Sequence, residues 1–150
     1  MSGNLSKRVS ELERLLSLFE SIETHLRYRQ TPTAELIAAM AASEQYRVFT
    51  FLPLCAKRLS AGADFPTAWR DSLSASAWDM HLQGGDLDIL RSLSDVLGAT
   101  DTQGQLSALD LASELLRQNL KEAVHKKHTL GKLYRSLGVL VGIGAAIMIG

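Results

Sequence analysis

Trp78-Asp79-Met80-His81 sets an acid beside a histidine, and Ser72, Ser74 and Ser76 lie just upstream. These are the residue types of an activated serine, whose hydroxyl needs a base, a third group to orient that base and an oxyanion pocket. Nearness in sequence supplies none of that geometry, so the stretch reads as loop residues of ordinary polarity. His125 and His128 stand three apart, and a helix would put both on one face, as metal ligands can be. No third His, Cys or carboxylate follows at ligand spacing, and Lys126 and Lys127 repel a cation. A solvated basic face is the reading, able to attract anionic lipid headgroups at about 1 kcal/mol per basic residue near the surface. Cys55 is the single cysteine; it lies in a helical pattern and reads as buried and structural. Gly84-Gly85 follows no strand and so lacks the setting of a phosphate loop. No catalytic, cofactor or metal residue is expected, and the chain does not read as an enzyme.

The acids are the remaining grouping. Glu11, Glu13, Glu20 and Glu23 fall in the first helical pattern, and Asp86, Asp88 and Asp95 in the fifth. The plain reading is solvated faces, with acids favoured near helix starts. The sharper reading is a docking surface for a basic partner, carried by Glu20, Glu23, Asp86 and Asp88, where charge sets encounter rate and orientation more than affinity. Glu23 is a misfit, since it lies on the apolar seam between Phe19 and Leu26. It reads as a partly solvated edge position with Arg27 four residues on as a partner. A buried, partnered Glu with a conformational role is the alternative.

The elements that must position these groups are all helical. Leu5, Val9, Leu12, Leu16, Phe19 and Leu26 follow 3-4 spacing, broadened by Leu15 and Ile22, which predicts a helix over about Leu5–Tyr28. Thr31 as N-cap and Pro32 at the first position open a second helix to about Ser43. A third runs from about Tyr46 to Ala61, with Pro53 kinking it or marking its true start. Asp64-Phe65-Pro66 opens a short fourth carrying Trp69 and Leu73. Trp69 and Trp78 read as core or interface anchors, Trp69 the stronger core candidate. Ser74–Gly85 weakens into a loop with the glycine pair as breaker. Leu87, Leu90, Leu93 and Leu97 share one face of a fifth helix over about Asp86–Leu97, and Gly98 stops it. Asp101 then caps a long last helix whose inward face is Leu106, Leu109, Leu116, Leu120 and Ala123, supported by Ala112 and Val124. No breaker comes before Gly131, so one rod of about 70 Å can continue into the tail. The fold class is all-α, a bundle of about six helices. At 150 residues this is one domain. Balanced formal charge gives no global field for nucleic acid, and a lone cysteine suits a reducing compartment.

The tail departs from that composition. Leu137 to Gly150 carries no charged or strongly polar side chain. A run of about 14 residues is by length a core helix or an interfacial piece. Two features favour the membrane. Gly138, Gly142, Ala146 and Gly150 recur every four residues, a small-residue ridge that lets another helix backbone approach closely in lipid. Lys126, Lys127, Lys132 and Arg135 precede the run with no acid after Glu122, which marks the cytoplasmic side. With Leu133, Tyr134 at the interface, and snorkelling Lys132 and Arg135, the segment approaches spanning length. The expected division is a cytoplasmic helical domain over 1–130 and a C-terminal membrane anchor over 131–150.

Four stretches in order resemble the stage III sporulation protein AB family of endospore-forming bacteria: "FESIETHLRYRQTP" with Glu23, Tyr28, Thr31 and Pro32; "TAWRDSL" with Trp69; "LDILRSLSDVLGATDTQGQLSALDLA" with Leu97, Gly98 and Asp101; and "KLYRSLGVLVG" with Tyr134, Leu137, Gly138 and Gly142. The last is the most specific. The resemblance covers nearly the whole chain. It implies a protein of the mother-cell membrane facing the forespore, with its main domain cytoplasmic, related to the inner-membrane platform proteins of type II secretion and type IV pilus systems. It further implies a place, as an oligomer, among the membrane proteins of the channel between the two cells. The implied partners are the complex's secretion-type ATPase, stage III sporulation protein AA, other channel membrane proteins and the lipid bilayer. No nucleic acid, cofactor or catalysis is implied. A platform protein proper, or a tail-anchored helical regulator that recruits a soluble partner, are the alternatives. The family also begins with its own transmembrane helix, and Met1 falls about where that helix should end; the expectation is a missing N-terminal helix that would pack on the glycine ridge. Two departures stand out. Arg29 takes the place of a frequent Gly, and the last helix is basic at His125–His128 where the family is often acidic.

Overall fold

The computed structural model describes the backbone of residues 2–98 and 101–149 and the side chains of residues 4–98 and 101–129. Within them every regular element is helical: α1 (Ser2–Thr24), α2 (Thr33–Ala42), α3 (Phe51–Ser60), α4 (Phe65–Ser76), α5 (Gly84–Ser92) and α6 (Thr102–Ile149). α1 lies along α6. α2 packs on α3, α3 on α4, and α5 closes against both α4 and α6. The six-helix, all-α expectation holds.

Apolar spacing explains the packing. Leu12, Leu15, Leu18, Phe19 and Ile22 of α1 have no exposed surface; they meet Leu106, Leu109, Ala112, Leu116 and Ala123 of α6 in one core. Truncating any of the large ones to Ala would cost about 2–5 kcal/mol. At the other end Trp69 is fully buried. Its ring meets Phe51 edge-on at 5.2 Å and Phe65 at 5.5 Å, and its Nε1–H donates to the Leu90 carbonyl at 2.7 Å. One side chain thus ties α3, α4 and α5 together. Cys55 is buried as expected; burial pushes its thiol up to about 11, with Arg58 pulling weakly the other way.

The helix boundaries hold several differences from the sequence expectations. α1 does not end cleanly but loosens into a π turn, His25–Arg29, stopped by Gln30 in the left-handed region at φ 49°. Thr31 does not cap α2. Its hydroxyl meets His25 Nδ1 at 3.2 Å, and Pro32 takes the cap position. Pro53 marks the true start of α3: it falls in the first turn, where its missing N–H leaves no hydrogen bond unmade. Asp64 caps α4, its Oδ2 accepting from the Thr67 N–H at 3.1 Å and the Thr67 hydroxyl at 2.8 Å. These bonds hold its carboxyl below the usual range.

The stretch read as a loop is largely helical. α4 runs through Ser76 into a 3-10 turn, Ala77–Asp79. Gly84 and Gly85 open α5 instead of breaking the chain, because Asp86 accepts the Gln83 N–H at 2.9 Å and secures the first turn. α5 stops at Ser92, and a 3-10 turn carries Leu93 to Asp95. Gly98 follows at φ 81°, and a Cβ there would come within 2.9 Å of Thr33 Oγ1. Trp78 is not core: it is 81% exposed, its indole N–H bonded to the Ala75 carbonyl.

Asp101 caps α6 as expected, accepting the Gly104 N–H at 3.0 Å. The helix continues for 48 residues without a break at Gly131, a length of about 72 Å. Among the described residues no helix is long and apolar enough to cross a membrane. Tyr134, Leu137, Gly138, Gly142, Ala146 and Gly150, on which the membrane expectation stands, lie outside the residues whose side chains are described.

A polar seam as candidate functional site

A helix that packs on both sides of a bundle must place some polar positions against its neighbours, and α1 does so at three levels. At its start Arg8, 5% exposed, reaches Asp86 of α5, 0% exposed. The Arg8 Nε meets Oδ2 at 2.9 Å and Nη2 meets Oδ1 at 3.1 Å. Asn119 of α6 donates its Nδ2–H to Oδ1 at 2.8 Å. Burial acts to raise the Asp86 carboxyl, but Arg8, the Gln83 N–H and Asn119 outweigh it and hold the group below its usual range. A paired and bonded carboxylate is the form of buried charge a core can hold.

One turn further, Glu11 is buried and braces the segment joining α4 to α5. Its Oε1 accepts the His81 backbone N–H and its Oε2 meets His81 Nδ1, both at 2.8 Å. His81 therefore faces Glu11. The structure does not bring His81, Asp79 and a serine together. Asp79 accepts the Thr50 hydroxyl at 3.1 Å, and the Ser72 and Ser76 hydroxyls are buried without hydrogen-bond partners.

Near the end of α1 the seam changes character. Glu23 is half-buried, and its Oε1 is buried with no donor. The acid that acts on it is the exposed Asp110 of α6. Burial raises the Glu23 carboxyl first, and the hydrogen bond and charge of Asp110 raise it further, to about 7, against the pull of Arg27 and Arg117. Glu23 is a partly solvated edge position, as expected, and Arg27 acts on it through charge. The three levels also show that α1 and α6 run antiparallel, since Arg8 shares a partner with Asn119 while Asp110 acts on Glu23.

The four docking candidates separate on this seam. Asp86 is off the surface, consumed by Arg8, Gln83 and Asn119, so its expected docking role is corrected. Glu23 presents only part of its carboxyl. Glu20 is exposed, and Asp88 is exposed but paired with Arg91 at 3.1 Å. Glu20 lies twelve positions along α1 from Arg8, about 18 Å, so the four do not form one patch. Tyr28, 77% exposed, lies within the π turn. Sequence reasoning missed Arg8, Glu11, Asp110 and Asn119, whose partners are far away in the chain; Glu23's position on the apolar stripe was the one visible signal.

Comparison with known proteins bears on this arrangement. The family model described as stage III sporulation protein AB matches residues 1–149. The chain belongs to the stage III sporulation protein AB family. A relative of that name from Bacillus subtilis (strain 168) is 26% identical over 145 residues, covering 95% of this chain and 84% of the relative. A solved structure of a stage III sporulation protein AB superposes with a TM-score of 0.68 at 21% identity, covering 82% of this chain and 98% of that one. The likeness shows that this chain shares the fold of that structure.

Proposed function

We propose that this chain is a membrane component of the mother cell–forespore channel and docks the channel's secretion-type ATPase, stage III sporulation protein AA, to the membrane complex. The observation that carries the reading is the family match over residues 1–149. Residues 1–130 form the cytoplasmic domain and residues 131–150 the anchor in the mother-cell membrane, where other channel proteins and further copies assemble with it. The chain acts as an adaptor without cofactor or catalysis. ATPase movement passes from the bundle into α6, whose 48-residue length suits a relay. Glu20 is the leading contact residue because it is exposed and makes no ion pair among the described residues; Asp88 is second because Arg91 already holds it.

The test is binding of the purified full chain in detergent to the purified ATPase, with ATP turnover read in parallel. Saturable binding is expected, weakened several-fold by Glu20→Lys and less by Asp88→Lys. A folded chain that shows no saturable binding, or binding indifferent to both reversals, would contradict the docking role.

A further inference from the structure

The end of α1, its π turn and the turn that follows α2 border an open cavity of about 190 Å³. Pockets for larger organic molecules run to about 300–1,000 Å³, so a small group is what fits here. Ser21, Thr24, His25 and Arg29 line it from the α1 side, and Ser43 and Gln45 line it from the other. Among the described residues no carboxylate lines it. Glu20 and Glu44 are exposed neighbours in sequence that take no part in the lining. The adjoining groove shares Gln45 and Tyr46 but differs in charge, since Glu13 lines it together with Arg14.

The lining groups have protons to give. Arg29 is exposed and makes no ion pair among the described residues. His25 meets Thr31 through Nδ1 at 3.2 Å; with Nδ1 as acceptor, Nε2 carries the proton. The Tyr46 hydroxyl lies 3.1 Å from Ser17 Oγ and 2.8 Å from Ser21 Oγ. Accepting from Ser17 and donating to Ser21, it leaves the Ser21 proton for the cavity. The side chains of Ser43 and Gln45 make no hydrogen bond among the described residues. Thr24 is spent on the Glu20 carbonyl at 3.0 Å.

A cavity rich in donors and lacking a carboxylate selects a ligand that only accepts, which is an anion. A carboxylate offers about four lone-pair sites, fewer than these donors can fill, whereas a phosphate group presents three strongly accepting oxygens and a larger charge. The backbone also departs from regular helix at this place, in the π turn His25–Arg29 and in Gln30 at φ 49°. Such departures gather at binding sites.

We infer that this cavity binds phosphate, free or as a phosphate monoester, with the Arg29 fork on two of its oxygens and His25, Ser21, Ser43 and Gln45 on the remainder. The bound anion bridges the π turn of α1 and the turn after α2. The inference rests on this cavity and not on the proposed ATPase docking, and the variants that test it leave Glu20 and Asp88 in place.

The experiment uses the full 15N-labelled chain in maltoside detergent, titrated with inorganic phosphate at an ionic strength held constant with chloride. NMR follows the Arg29 Nε–H and the backbone amides around His25 and Ser43. Saturating shifts with a dissociation constant in the low millimolar range are expected. Arg29→Gln should weaken binding about tenfold or more, and Ser43→Ala about threefold. Arg27→Gln removes the same charge from the same turn but lies outside the lining, so it should change binding by less than about twofold. Glycerol 3-phosphate should saturate the same resonances. Phosphatidic acid doped into the micelles should not; saturation by it alone would keep the phosphate chemistry and assign its source to a lipid headgroup. Shifts that stay linear, or equal losses in Arg29→Gln and Arg27→Gln, would overturn the site. Acetate binding as tightly as phosphate would overturn the choice of ligand.

Discussion

Asp86 accepts four hydrogen bonds, two from Arg8 and one each from the Gln83 N–H and Asn119, and the consequences belong to the scale of single residues. Arg8→Met should destabilise the fold by about 3–5 kcal/mol, because it leaves a fully buried carboxylate without its cation. Arg8→Met combined with Asp86→Leu should recover much of that loss; urea midpoints of the two variants check it. The sign with pH is that of a lowered carboxyl: the Asp86 contribution is complete above the ordinary carboxylate range and is lost as pH falls through its lowered folded value. Trp78→Ala should change stability by no more than about 0.5 kcal/mol, since the ring is 81% exposed. Glu11 and Asp86 read from the sequence as solvated acids. Their partners lie 70 and 78 residues away, and local periodicity carries no record of contacts at that separation. Trp69 was legible, because Leu73 four residues on marks the same buried face, and so was Cys55.

At the scale of elements, the apolar stripes of α1 and α6 were readable because both helices are long enough for the 3-4 pattern to repeat several times. The short elements were not. The glycine pair reads as a breaker until Asp86 is seen securing the first turn of α5, and the π turn at His25–Arg29 leaves no periodic mark. Gly98 does not stop α5, which already ends at Ser92, but the cost of replacing it can be tested. Gly98→Ala should destabilise by about 1–3 kcal/mol, since the new Cβ meets Thr33 as well as an unfavourable φ. Gly62→Ala, at φ 98° with open space around it, should cost less; thermal melts of the pair separate steric from backbone strain. The relay proposed for α6 needs a stiff helix through Gly131. Backbone 15N relaxation at Gly131 should match that of α6 residues before it, and fast local motion there would count against the relay.

At the scale of the molecule, a family match along residues 1–149 and a bundle that ends in one long helix support an adaptor between a motor and a membrane. The fold class was legible because no segment offered a competing strand period, and the family because four spaced stretches agree in order. The docking surface was not, since helix-face acids look alike until burial separates Glu20 from Asp86. The central claim is that this chain holds the ATPase at a bilayer, and the most direct measurement is co-flotation. Lipid vesicles carrying the full chain are mixed with the purified ATPase and floated on a density gradient. The account predicts that the ATPase floats only with chain-bearing vesicles and that Glu20→Lys returns most of it to the bottom fraction. An ATPase that stays at the bottom while the chain floats would contradict it.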